Sequence, residues 1–219
     1  MRTLQLQAPR VVRAGAFAAG IAFAAAAAWA GPATDQLKES VDRVLKIVQD
    51  PELKKPQNGE KRRTQIREVA RNIFDFEEMA KRALARHYAA RTPEQKKRFT
   101  ELFTDLLENS YVSKIESYGG EKILYLPEQV EGDVTTVRSK LITQRGTEIP
   151  IDYRMQKEGD RFRVYDVSIE GVSLVANYRS QFNKIITQSS FEELLKKMET
   201  KQLEVAEEQK TKKPATATQ

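Results

Sequence analysis

The amino-acid sequence predicts an α+β fold: a four-stranded antiparallel sheet, with helices before it and after it laid over one face. Three observations carry that expectation. Between 121 and 170 alternating apolar and polar segments are separated by short turns, Glu131-Gly132-Asp133, Gln144-Arg145-Gly146 and Glu158-Gly159-Asp160, the pattern of an antiparallel meander. On both sides of that stretch apolar residues recur three and four apart, which is one face of a helix. Within FRVYDVSIEGVSLVANYRSQF, 162–182, the period changes at Gly171, so a strand delivers the chain directly into an amphipathic helix.

The first thirty residues read as an export signal. Arg2, Arg10 and Arg13 make a basic start, Ala14 to Trp29 is an alanine-rich run, and Ala28-Trp29-Ala30 fits a small-x-small cleavage site that leaves Gly31 as the mature N-terminus. A membrane anchor is the competing reading, but the run is at the short end of spanning length and only weakly apolar. Three arginines and no acidic residue leave with it, so the formal charge of +6 falls to +3. The remaining charges of both signs are interspersed, which reads as solubility and not as nucleic-acid binding. The chain has no cysteine, which excludes disulfides, thiolate metal sites and a lipidated-cysteine anchor. The expected organisation is a cleaved signal over 1–30, one domain over 31–206 and a disordered low-complexity tail over 207–219.

Leu37, Val41, Val44, Leu45 and Val48 mark a first helix ending near Asp50-Pro51. Ile66, Val69, Ala70 and Ile73 form the face of a second. Asp75 is the expected N-cap of a third, with Glu78 three residues on and Phe74 and Met79 as a hydrophobic staple; it should run to about Tyr88. Thr92-Pro93-Glu94-Gln95 is a capping box with proline at the first helical position. It opens the longest helix, whose face is Phe99, Leu102, Phe103, Leu106, Leu107, Tyr111, Ile115 and Tyr118, ended by Gly119-Gly120. The strands are expected at 121–131, 133–143, 148–157 and 161–170. Val137, Leu141, Ile149, Ile151, Tyr153, Met155, Tyr165, Val167 and Ile169 fall on one parity, with polar alternates; Phe162 and Val164 break the rule. Ser173 is the expected N-cap of the next helix, and Ser190 with Glu193 opens a last one.

FDFEEMAKRAL at 74–84, RTPEQKKRFTELFTDLL at 91–107 and YDVSIEGVSLVANYRSQF at 165–182 together resemble the MlaC, or toluene-tolerance (Ttg2), family in their order and spacing, over residues of about 35 to 200. One departure is visible: the family often has glycine and an aromatic pair after the first of these helices, where this chain reads Leu84-Ala85-Arg86-His87-Tyr88. The resemblance implies a soluble periplasmic phospholipid carrier and an NTF2-like cone, a curved sheet wrapped by helices around an apolar cavity. It implies bound phospholipid as ligand, no cofactor, and no enzymatic activity. The implied partners are an inner-membrane Mla ABC transporter complex, with its substrate-binding MCE-type subunit, and an outer-membrane MlaA–porin complex.

The residues expected to line the cavity are Val137, Leu141, Ile151, Tyr153, Tyr165, Val167 and Ile169 on the strands, Phe103, Leu107 and Tyr111 on the long helix, and Val172 and Val175 at the strand–helix junction. Leu84 is a weaker candidate. Val172, inside EGVS, rests on the resemblance; the others rest on parity and helical spacing. The sequence displays no compact cationic cluster shaped for one headgroup, so little headgroup selectivity is expected.

Two other function classes stay open. NTF2-like folds house isomerases and dehydratases, which need a cavity carboxylate of raised pKa. Asp166 and Glu170 are the carboxylates to consider, and strand parity points Asp166 away from the apolar face. The single histidine, His87, has no partner spacing for a metal or a nucleophile. The other class is a ligand-free adaptor subunit of an envelope transporter, its interior filled by side chains.

Overall fold

The structure is a computed structural model that describes residues 31–200. The expected export signal at 1–30, the end of the domain at 201–206 and the tail at 207–219 lie outside the described residues. The helices before the sheet are α1 (Pro32–Gln49), α2 (Gly59–Ile73), α3 (Phe76–Leu84) and α4 (Pro93–Glu116). α1 has no cap of its own. Glu128 supplies one, accepting from both the backbone N–H and the hydroxyl of Thr34 at 3.0 Å, a carboxylate at the positive end of a helix. It sits so close that a Cβ on Gly31 would lie 1.9 Å from its Oε1. Asp75 caps α3 by accepting from the Glu78 N–H at 2.9 Å, and Thr92 and Gln95 form the capping box of α4.

α3 stops at Leu84, four residues short of the expected end. Ala85 takes φ 46° and ψ −119° and starts a 3-10 turn, Ala85–His87. Nothing in the helix propensity of alanine ends a helix; packing imposes this turn, at a position where glycine would sit without strain. α4 ends at Glu116, before the two glycines.

The sheet has six strands, not four: β1 (Lys122–Tyr125), β2 (Gln129–Glu131), β3 (Val134–Ile142), β4 (Glu148–Glu158), β5 (Arg161–Ile169) and β6 (Val172–Ser173). It is curved, antiparallel and unclosed. The order is β1-β3-β4-β5-β6, and β2 also pairs with β3. The expected first strand splits at Pro127, which has no N–H for the ladder. Tyr125 faces Ser139 and Gln129 faces Thr136, four steps against three. The extra residue frees Glu128 to reach α1. The expected strand-to-helix corner is a two-residue turn, Glu170 (φ 51°) and Gly171 (φ 78°), which folds β6 back on β5 before α5 (Leu174–Gln188) begins. α6 is Phe191–Glu199.

Phe162 and Val164 break the alternation for a physical reason. β4 and β5 shift register between Arg154 and Met155: Arg154 faces Asp166 and Met155 faces Val164. Tyr165 is the bulged residue. One extra residue reverses the parity, so Phe162 and Val164 join Val167 and Ile169 against α1. Tyr165 goes instead to the helical core, with the Arg82 guanidinium 4.0 Å from its ring centre.

Two cores result. α3, α4, α5 and α6 enclose an aromatic cluster in which Phe103 meets the rings of Tyr178 and Phe182 edge-on at 5.4 Å. α1 packs on the sheet through Ala33, Leu37, Val137, Met155 and Val164, and the Gln36 side chain pairs with both backbone groups of Phe162.

Candidate functional site

Between the two cores lies a cavity of about 510 Å³, within the ordinary range for ligand sites. The sheet contributes Leu141, Ile151, Tyr153, Val167 and Ile169. The C-terminal half of α4 contributes Leu107, Tyr111, Val112 and Ile115. α1 adds Leu37, Val41, Val44 and Leu45, α2 adds Ile66, Val69, Ala70 and Ile73, and Phe74, Phe76, Met79 and Leu174 complete the apolar wall. Val41, Val44, Leu45 and Val69 are only half-buried although they face inward. Apolar side chains in that state border space, not partners.

Seven of the twelve residues expected at the cavity line it: Leu107, Tyr111, Leu141, Ile151, Tyr153, Val167 and Ile169. Five do not. Phe103, Tyr165 and Val175 are buried in the helical core, and Val137 is buried under α1. Val172 is half-buried in β6, opposite Ile169. Phe103 lies outside because α4 serves two masters: its first half packs on α5 and α6, its second half borders the cavity. Tyr165 lies outside because of the bulge. Leu84 is buried in the helical core and touches only a separate surface notch beside Arg86, His87 and Asn183. The walls from α1 and α2 were visible in the sequence as apolar stripes; the missing information was that these stripes do not close on a neighbour.

Tyr111, Tyr118 and Tyr153 place phenols in the wall. Burial pushes the Tyr153 phenol up to about 12, with the Ser139 hydroxyl pulling the other way. Burial also raises Tyr111 and Tyr125. Asp166 is buried but does not line the cavity: it accepts from the Ser173 hydroxyl at 2.6 Å and from the Val175 N–H at 3.1 Å, and so holds the start of α5. Glu170 sits in the turn. His87 lies 3.0 Å from the Asn183 amide oxygen. Among the described residues no cluster is arranged to hold a metal ion.

One charged strip meets the wall at Arg67 and Glu108. Arg63, Arg67 and Arg71 are four apart on α2, with Arg62 beside them. Glu108 and Glu116, two helical turns apart on α4, face them. Arg67 and Arg71 reach Glu108 at 3.2 and 3.1 Å; Arg62 and Arg63 reach Glu116 at 2.7 and 3.2 Å.

Among the described residues no helix is long and apolar enough to cross a membrane. A structure from Ralstonia solanacearum, of a phospholipid-binding protein in complex with a phospholipid, matches with a TM-score of 0.69 and 26% identity over 78% of this chain and 96% of that one. The intermembrane phospholipid transport system binding protein MlaC of Haemophilus influenzae is 23% identical over 168 residues, 74% of this chain and 78% of the relative. The toluene tolerance protein Ttg2D of Pseudomonas putida is 26% identical over 112 residues, about half of each chain. The signature of the MlaC protein family matches residues 38–200, most of the described fold, and the chain belongs to the MlaC family.

Proposed function

We propose that this chain is a periplasmic carrier that holds the acyl chains of a phospholipid in the cavity and shuttles the lipid between inner- and outer-membrane Mla complexes. The observation that carries the reading is the apolar cavity of about 510 Å³, in a chain whose solved relative was in complex with a phospholipid. The seven sequence-expected lining residues contact the tails, together with the α1 and α2 walls. Val172, which pairs with the lining residue Ile169, would reach the tails only beyond the observed lining. Phe103, Val137, Tyr165 and Val175 support the wall from behind. The cone-like enclosure belongs to the same reading. So does export: cleavage before Gly31 would leave an ammonium beside the Glu128 carboxylate.

Two acyl chains hold about thirty methylenes, each worth about 0.8 kcal/mol on leaving water. That gross figure exceeds the practical ceiling of noncovalent affinity, but a membrane buries the same tails equally well. Exchange with a membrane is therefore near balance, while escape through water is very slow. The carrier needs an apolar cavity and a wet headgroup; energy enters at the transporter. No observation favours the isomerase reading, because Asp166 is engaged at α5 and Glu108 is paired with two arginines.

Native mass spectrometry with lipid extraction tests the function. The purified protein should carry the mass of a diacyl phospholipid. Protein that is lipid-free and takes none from vesicles would overturn the carrier reading in favour of the adaptor.

A further inference from the structure

We propose that the arginine strip on α2 is a phosphate site, which holds the phosphodiester of the bound lipid at the lip of the cavity. The inference deepens the carrier reading and rests on it. Four guanidiniums face two carboxylates of α4, and Glu60 lies 3.9 Å from Arg63, so the strip keeps a formal charge of one positive unit before any ligand arrives. Each guanidinium offers about five N–H donors and each carboxylate about four acceptor sites, so donors are in large excess. The carboxylates are the buried members: the Glu108 and Glu116 side chains are 6% and 11% exposed. Arg62 is largely buried, whereas Arg63, Arg67 and Arg71 are open to a ligand. Arg67 lines the cavity and is 31% exposed, and Arg71 is 60% exposed. The strip thus runs from the apolar wall to water, the path a headgroup must take when the tails are inside.

A structural latch alone would call for matched charge. Here Val112, midway between the two glutamates on α4, is apolar and lines the cavity, which leaves the middle of the strip without a carboxylate. A phosphodiester brings one negative charge and two free oxygens, and the planar guanidinium fork suits it. The site reads the phosphate, which phosphatidylethanolamine and phosphatidylglycerol share, and rejects a lipid without one.

Lipid-free protein is loaded from vesicles of phosphatidylglycerol, phosphatidylethanolamine and diacylglycerol with the same tails, and bound species are counted by native mass spectrometry. Wild type should favour phosphate-bearing lipid over diacylglycerol. Arg67→Gln should cut that ratio about tenfold, the worth of one charge-assisted hydrogen bond. Glu108→Gln should raise it, because it frees two guanidiniums; a latch would show no rise, only a lower melting temperature. Should Arg67→Gln fail to fold, the direction of Glu108→Gln decides. Equal ratios in wild type and Glu108→Gln overturn the phosphate site while leaving the carrier intact; no uptake of any lipid overturns the carrier itself. Inorganic phosphate that binds lipid-free wild type, with the lipid ratio unchanged in Glu108→Gln, would make this a free-anion site and overturn the headgroup role.

Discussion

Ile151→Glu and Val137→Glu place the same carboxylate on neighbouring strands of one sheet face, with opposite expected consequences. Ile151 lies opposite Ser139 and Ile169, is half-buried and lines the cavity. Val137 lies opposite Tyr153, is 0% exposed and borders no space. In the lipid-free protein a carboxylate at 151 stays hydrated inside the cavity, and the fold loses about 1–2 kcal/mol of partial apolar burial. With lipid bound, the tail must either strip that water, at several kcal/mol, or withdraw three to four methylenes at about 0.8 kcal/mol each. The second route is cheaper, at about 3 kcal/mol, or roughly a hundredfold in loading. At 137 there is no water to keep, so the whole cost falls on folding and exceeds about 3 kcal/mol, a drop of roughly 10 °C. Lipid per protein by mass spectrometry and the melting temperature of lipid-free samples separate the two. An Ile151→Glu protein that stays loaded, or a Val137→Glu protein that melts like wild type, would refute the division between wall and core.

Ala85→Gly should stabilise the lipid-free protein. The turn at φ 46°, ψ −119° costs alanine about 1–3 kcal/mol, and the added freedom of glycine in the unfolded chain returns about 0.4–1 kcal/mol of that; a melting temperature that fell would show the turn is not strained. Stability should decline in alkali. The unfolded tyrosine titrates near 10 and Tyr153 near 12 when folded, so above pH 10 the unfolded state sheds the proton first. The contribution is fully present below pH 10 and is lost as pH rises toward 12, at about 1.4 kcal/mol per unit for one phenol. Denaturant midpoints at pH 9 and 11.5, with Tyr153→Phe as control, check this; an identical decline in the variant would assign it to other groups.

Much of the fold was legible because its signals are local. The Asp75, Thr92, Ser173 and Ser190 caps, the three glycine turns and the apolar stripes all depend on residues within four positions of each other. The same is true of the three quoted segments that resemble the MlaC family, since motif order survives without knowledge of contacts. What the sequence could not decide was long-range. Pro127 reads as one residue in a strand until its neighbours must match β3. Tyr165 keeps perfect alternation with Val167, yet the bulge sends it to the other core. No local signal joins the arginines of α2 to Glu108 and Glu116 on α4. Above all, periodicity shows that α1, α2, the second half of α4 and the sheet each have an apolar face. Whether facing stripes touch or stand apart depends on the distance between elements, which is set by partners far away in the chain. That distance is the cavity, and only the tertiary structure contains it.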